Sequence, residues 1–122
     1  MAEIRIIQFE EARRRLVNVV AGSDVPARHV ALYHSTLFEL SNLYLDKSDF
    51  QMAVDIAHEA ICSFDQSIAT APTRPDHYEG RMTARILLGN IHEAAGDEEQ
   101  ALTEYAAATD DYRQMTKALF RG

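Results

Sequence analysis

The feature of this chain that most constrains its fold is a pattern that occurs twice, with an offset of 48 residues. The matching positions are Leu40-Ser41-Asn42 with Leu88-Gly89-Asn90, Ser48-Asp49 with Gly96-Asp97, Ala53 with Ala101, and Ala60 with Ala108. Small side chains allow two helices to approach closely, and a turn pair between two helical segments is typical of a hairpin. The pattern therefore predicts two similar helical hairpins packed side by side.

Hydrophobic periodicity divides the chain into about five predicted helices and no sheet. They cover roughly residues 7–20 and 25–47, a third segment from Ser48 to Ala71, a fourth that ends near Ala95, and a fifth capped by Asp97. Ser48 and Gln51 fit a capping box, in which Ser48 accepts from the backbone and the Gln51 side chain reaches back. Pro72 and Pro75 mark the clearest break, because the residue before a proline is pushed out of the helical region. The conformation of residues 1–7 stays open between helix, edge strand and tail.

These helices are expected to form one all-α domain over residues 1–122. It would consist of a half repeat at 7–22 and of repeats at 25–71 and 73–121. The fifth helix has the most regular stripe, and the stripe predicts the side that faces the core. Its members are Ala101, Tyr105, Ala108, Tyr112, Met115 and Leu119.

Composition excludes several functional classes. The chain has 12 basic and 19 acidic residues and a formal charge of −7, which argues against nucleic-acid binding. Cys62 has no second cysteine to pair with, which favours a reducing compartment. The first residues lack the apolar core of a signal peptide, and no apolar run approaches the roughly 20 residues that span a bilayer. The expectation is a soluble cytoplasmic protein without a membrane or nucleic-acid partner.

The two copies resemble a known repeat family. The segment from Ala84 to Tyr112, with Leu88-Gly89, His92, Gly96, Ala101, Tyr105 and Ala108, looks like a tetratricopeptide repeat. The segment from Leu37 to Phe64 resembles another, and Ala12, Leu16 and Val19 are similar to the second helix of a preceding half repeat. The resemblance implies antiparallel hairpins stacked as a short right-handed superhelix. The family's unit is about 34 residues long, so the longer offset here leaves the curvature of the superhelix open.

The same resemblance implies a concave groove that binds a peptide or a helix. Carried onto this chain, the groove residues are Phe38, Asn42 and Leu45 of the second helix and Ile86, Asn90 and Glu93 of the fourth. Each triplet has i, i+4, i+7 spacing and so lies on one stripe. The two asparagines offer donors and an acceptor to a peptide backbone, although they could equally stand on a solvated face.

One subtype of the family is excluded by the residues themselves. Some members clamp a partner's terminal carboxylate with an asparagine and a lysine one turn earlier. Phe38 and Ile86 occupy those earlier positions here, so the cations are missing. An amphipathic helix or an apolar peptide segment fits such a groove better.

No catalytic, metal or cofactor site is predicted. His58 and Cys62 are four residues apart, but two ligands do not make a zinc site, and Cys62 is expected to be a small buried side chain. The sequence therefore predicts a non-catalytic protein–protein interaction module. Two alternatives stay open: a small helical chaperone for one client, and an all-helical enzyme or ligand sensor. The polar residues of such a sensor would be Asp46, Arg85, His92 and Glu93.

Short repeat arrays expose apolar faces at their ends. In this chain Ile4, Ile6-Ile7 and Leu119-Phe120 supply such surfaces. Self-association as a two-fold homodimer is the prediction that follows.

Overall fold

The computed structural model describes residues 2–22 and 24–121, with side chains described up to Phe120. The five helices are α1 (Ala2–Val20), α2 (Ala27–Asp46), α3 (Phe50–Thr70), α4 (Pro75–Ala94) and α5 (Glu98–Arg121). Over the described ranges no residue lies in a strand. Each helix packs on the next one along the chain, and the short connections reverse the chain direction. The all-α, five-helix prediction is confirmed, while the right-handed superhelix stays a prediction.

The first helix is longer than the periodicity predicts, since it begins at Ala2 rather than near residue 7. Ile6 provides the reason, because its side chain is buried in a core cluster with residues of α2 and α3. Glu3 adds an ion pair to Lys47 at the end of α2, with 3.5 Å between Oε1 and Nζ. Residues 2–7, whose conformation the sequence left open, are therefore helical.

The turns that follow α2 and α4 have the same backbone design. Ser48 has a φ of 60° and Gly96 a φ of 85°, so both occupy the left-handed region. In both turns the N–H of the next residue, Asp49 or Asp97, donates to the carbonyl oxygen five residues earlier, at 2.9 and 2.8 Å. This bond satisfies a carbonyl at the end of the preceding helix. Two turns that lie 48 residues apart therefore share the same backbone hydrogen bond.

The predicted capping box at the start of α3 is wrong. The cap is Asp49, whose Oδ1 accepts from the backbone N–H three residues further on at 3.3 Å, while Gln51 donates to Asp55 of the same helix. Ser48 is not free to act as the cap, because its left-handed conformation ends α2. Asp97 caps α5 in the same way, at 3.2 Å, as the sequence predicts.

Small residues lie where the two hairpins close, as the repeat predicts. Ser41 and Ala53 are both fully buried, and the Ser41 hydroxyl donates to the Ala53 carbonyl oxygen at 2.9 Å. At the equivalent contact a Cβ on Gly89 would lie 2.5 Å from the Tyr105 ring. Ala101 is also buried, with 1% of its surface exposed. A larger residue at Ser41, Ala53 or Ala101 would push the helices of a hairpin apart.

The core consists of two clusters of buried side chains. The first contains residues of the four helices α1, α2, α3 and α4. They are Ile6, Tyr33, Leu37, Leu40, Ile56, Ala60, Phe64 and Ala84. The second lies between α3 and α4 and contains Ala53, Ala57, Leu87, Leu88 and Ile91. Partly buried Phe38, Tyr44 and Ile61 pack against both clusters and join them.

The fifth helix is rotated relative to the sequence prediction. Tyr112 and Leu119 are 55% and 58% exposed, whereas Asp111 and Ala118 are 1% and 4% exposed. The predicted stripe is correct at Ala101 and Ala108, and wrong at Tyr112 and Leu119. The helix therefore turns small residues and one aspartate toward α4, and large apolar ones outward.

Replacing Gly80 by alanine is expected to lower the free energy of unfolding by about 1–3 kcal/mol. A Cβ there would lie 2.1 Å from Cε1 of Phe64. That ring is buried and stacked on His34 with 3.8 Å between centroids, so it cannot move aside. The steric loss exceeds the roughly 1 kcal/mol that alanine gains over glycine in a helix. Urea unfolding followed by circular dichroism measures the effect.

The matched control for this substitution is Gly89→Ala. Its new Cβ would meet Tyr105, whose half-buried ring can swing outward, so the loss should be smaller. In a Gly80→Ala, Phe64→Leu double variant, leucine replaces the obstructing ring. Its loss of unfolding free energy should be smaller than the sum of the losses of the two single variants. A Gly80→Ala protein as stable as the unchanged one would contradict the predicted clash.

A candidate docking groove between the last two helices

The outward face of α5 is apolar along most of its length. Leu102, Tyr112 and Leu119 are 60%, 55% and 58% exposed, and Tyr105 is half-buried. With Thr109 and Thr116 these residues recur at alternating spacings of three and four, so they form one stripe on the helix. Soluble proteins seldom expose such a stripe without a use for it.

An apolar groove of about 470 Å³ runs between this stripe and α4. We call it the α4–α5 groove, and its lining residues are Met82, Ile86, Tyr105, Ala108, Thr109 and Tyr112. The side chains in its middle, Ala108 and Thr109, are small. Tyr105 and Tyr112 come before and after these small residues along α5 and make the α5 wall of the groove aromatic.

A polar edge borders the groove at Tyr105. The Tyr105 hydroxyl donates to Oδ1 of Asn90 at 2.6 Å and lies 3.4 Å from Oε2 of Glu93. Partial desolvation, and then the charge of Glu93, raise the pKa of the Tyr105 phenol above its ordinary value. The hydroxyl therefore stays protonated and acts as the donor. Gly89 makes this arrangement fit, because it leaves room for the ring against α4.

Of the predicted groove residues of α4, one lines the α4–α5 groove and two lie at its polar edge. Ile86 is 41% exposed and lines the groove, while Asn90 and Glu93 hold the Tyr105 hydroxyl. The opposite wall comes from α5 and was missed, since Tyr105 and Tyr112 were assigned to the core. The alternating stripe on α5 is the sequence signal that could have identified that wall.

The predicted groove residues of α2 are placed differently. Phe38 and Leu45 are half-buried against the core, and the Phe38 ring centroid lies 6.1 Å from that of Phe64. Asn42 is exposed, and its amide donates to the Phe38 carbonyl of its own helix at 3.0 Å. That this triplet shares a groove with the α4 triplet stays a prediction.

Acidic side chains stand at both ends of the α4 wall. Glu79, Ile86 and Glu93 are seven residues apart and so share one face of the helix. Both glutamates are exposed. With the chain's charge of −7, the groove presents an apolar floor between two carboxylates. A ligand with an apolar middle and cationic ends matches this pattern.

A second polar pair has the geometry of a catalytic dyad. Nε2 of His34 lies 2.7 Å from Oγ of Ser63. Burial, and then the neighbouring His77, lower the pKa of His34 to about 4. Such a weak base gives little activation of a serine near neutral pH. We assign the pair a structural role, in which it joins α2 to α3.

The polar residues of the ligand-sensor alternative are dispersed. Nη1 of Arg85 lies 3.1 Å from Oδ2 of Asp111, and it donates to the Ala107 carbonyl at 3.3 Å. Its charge is therefore directed into the α4–α5 interface, while Asp46 is exposed at the end of α2.

Metal-ligating side chains do not gather anywhere in the ranges 2–22 and 24–121 in groups of three or more. Cys62, expected to be buried, is exposed on α3 together with His58. Among the described helices, none has both the length and the hydrophobicity that a bilayer crossing requires.

Comparison of the chain with protein-family models, with curated proteins and with solved structures finds no match. The tetratricopeptide resemblance therefore stays a prediction, carried by the residues alone.

Proposed function

We propose that this protein is a non-catalytic binding module that holds an amphipathic helix of a partner protein in the α4–α5 groove. The observation that carries the proposal is the exposed apolar stripe of α5. Leu102, Tyr112 and Leu119 are more than half exposed, on a helix whose other side packs Ala101, Ala108 and Ala118 against its neighbour. An apolar groove beside such a stripe is the usual receptor for an amphipathic helix.

The shape of the groove favours a helix over an extended peptide. The stripe from Leu102 to Leu119 extends about 26 Å along the helix axis, at 1.5 Å per residue. Its alternating spacings match the ridge pattern of a second helix laid alongside. Ala108 and Thr109 permit close approach in the middle, and Tyr105 and Tyr112 provide large amphipathic anchors.

The negative charges near the groove favour a partner helix with basic residues. Glu79 and Glu93 at the ends of the α4 wall favour lysine or arginine near both ends of the bound helix. Exposed charge pairs of this kind act mainly on the association rate and the specificity, and salt weakens them. The partner helix would thus have an apolar stripe with basic residues at its ends.

The tetratricopeptide resemblance supports the same site. In an array of stacked hairpins, each pair of helices packs one face against a further helix. The partner's helix would pack in this way on the face of α4 and α5. The proposal retains Ile86 in one wall, with Asn90 and Glu93 at the polar edge, and adds Tyr105 and Tyr112 as the other wall.

Synthetic peptides test this proposal directly. The first probe is a helix-forming peptide about five turns long, with leucines at alternating spacings of three and four and lysines at both ends. We expect it to bind, and we expect Tyr112→Glu to raise its dissociation constant at least about tenfold, because a charge would replace an anchor in the groove. Fluorescence anisotropy of the labelled peptide measures both values.

Two controls test whether binding depends on the groove and on the charges of the peptide. Leu32→Glu changes a side chain of equal exposure, 55%, that lies on α2 outside the groove, and it should leave binding unchanged. A peptide with glutamates at its ends should bind more weakly than the lysine peptide. Equal binding of a peptide with scrambled leucines, or an equal loss with Leu32→Glu, would refute the proposed site.

A further inference from the structure

A second exposed groove lies at the other end of the molecule, along α1. It has a volume of about 620 Å³, and its lining includes Ile6, Ile7, Glu10, Arg14, Val17 and Tyr44. Ile7 is 69% exposed and Val17 is 40% exposed. The apolar surface of this groove is therefore divided into two patches, one near each end of α1.

Charged residues occupy the middle of the helix between these patches. Glu10 and Glu11 come before Ala12, and Arg13, Arg14 and Arg15 follow it. Ile7 and Val17 stand five residues before and after Ala12. The order along α1 is thus apolar, acidic, basic, apolar, with Ala12 at its centre.

This order is complementary to itself when it is reversed. If a second α1 runs antiparallel with its centre at the same level, Ile7 of one copy faces Val17 of the other. The exposed Glu11 of each copy then faces the exposed Arg14 of its neighbour. A parallel arrangement would oppose like charges instead. Two-fold symmetry repeats every one of these contacts, as an isologous interface requires.

We propose that the α1 groove binds a second copy of this chain, with the two α1 helices packed antiparallel about a two-fold axis that crosses the exposed side of α1 at the level of Ala12. Ile7 and Val17 provide the apolar contacts, and Glu11 and Arg14 provide the charge pairing between copies. One helix from each side makes a small interface, so the dimer is of the weak, exchanging kind. This inference is independent of the α4–α5 groove.

Arg14 and Glu11 are suited to a test because both are accessible. Their side chains are 69% and 42% exposed, and they pair with each other within α1, with 2.5 Å between Nη2 and Oε2. Reversing Arg14 removes one surface ion pair and reversing Glu11 removes two, since Glu11 also pairs with Arg15, and exposed pairs of this kind contribute little stability. An effect on association therefore reports on the interface rather than on the fold.

The experiment compares Glu11→Arg, Arg14→Glu and an equimolar mixture of the two by sedimentation velocity over a concentration series. Each variant alone places like charges opposite one another, and its dimer dissociation constant should rise at least about tenfold. In the mixture, two arginines of one variant face two glutamates of the other. A heterodimer at least as tight as the unchanged homodimer should form.

Matched controls separate this interface from other contacts. Asp110→Arg and Arg113→Glu reverse a similar i,i+3 pair on α5 and should leave the dimer unchanged. Tyr112→Glu should also leave it unchanged, because that residue lies in the α4–α5 groove. The proposal is overturned by an unchanged protein that stays monomeric at several hundred micromolar, by a dimer lost in Tyr112→Glu, or by variants that do not associate when mixed.

Discussion

Replacing Asp111 by alanine is expected to lower the free energy of unfolding by about 3–5 kcal/mol. The carboxylate is 1% exposed, and its Oδ1 lies 2.8 Å from Nε and 2.7 Å from Nη2 of Arg81. Nη1 of Arg85 lies 3.1 Å from the other oxygen. Without the carboxylate, two neighbouring guanidinium groups would remain partly buried, with only Asp65 as a counter-charge for Arg81. The loss is large because only 18% and 22% of these two arginine side chains is exposed, so water replaces the lost carboxylate incompletely.

The adjacent residue provides the control for this prediction. Asp110 has a side chain that is 71% exposed and pairs with Arg113 within α5 at 2.6 Å. Asp110→Ala should therefore cost less than about 1 kcal/mol. Urea unfolding of both variants at neutral pH gives the comparison. Similar losses for the two substitutions would mean that Asp111 is not held in a buried ion pair.

Asp111 also explains why the rotation of α5 could not be predicted from the sequence. The predicted stripe contains Tyr112 and Leu119, and the observed interior contains Asp111 and Ala118 instead. The two faces are adjacent on the helix, and hydrophobicity alone favours the tyrosine. The rotation of α5 is decided by Arg81 and Arg85 on α4, which form ion pairs with Asp111. These residues are distant in sequence, so a local hydrophobic pattern does not reveal the ion pairs.

The elements that were predicted correctly depend on local rules. A left-handed residue followed by an aspartate cap requires only a few neighbouring residues, so the turns at Ser48 and Gly96 could be located from the sequence. The close contacts at Ser41 and Gly89 follow from side-chain size. The predicted capping box was wrong for a reason that also concerns neighbouring residues. Ser48 ends α2 in the left-handed conformation, and in that conformation it cannot also be the N-cap of α3.

The candidate site was predicted in part for the same physical reasons. Ile86, Asn90 and Glu93 lie on one helix face by spacing alone, so their grouping could be predicted. Their opposite wall depends on the rotation of α5, and it was therefore missed. Once Asp111 is fixed in the interior, Tyr105 and Tyr112 must lie toward the groove. The buried ion pair thus determines which side of α5 is offered to a partner.

Acidification is expected to reduce stability through His34 by about 2–3 kcal/mol. This imidazole is 8% exposed and stacks on Phe64, and burial, followed by the charge of His77, lowers its pKa to about 4. In the unfolded chain the pKa returns to about 6.5. Between these values the unfolded state binds a proton that the folded state does not. The contribution is complete above about pH 6.5 and is lost as the pH falls toward 4.

The carboxylates also titrate in this range, so the prediction concerns a difference between two proteins. His34→Gln removes the titrating group and keeps an amide that can bond to the Ser63 hydroxyl, which lies 2.7 Å from Nε2 in the unchanged protein. Carboxylate effects are common to both proteins and cancel in the difference. The stability advantage of histidine over glutamine should therefore shrink by about 2–3 kcal/mol between pH 7.5 and pH 4. Urea unfolding at several pH values measures it, and an advantage that stays constant would show that His34 has the same pKa in both states.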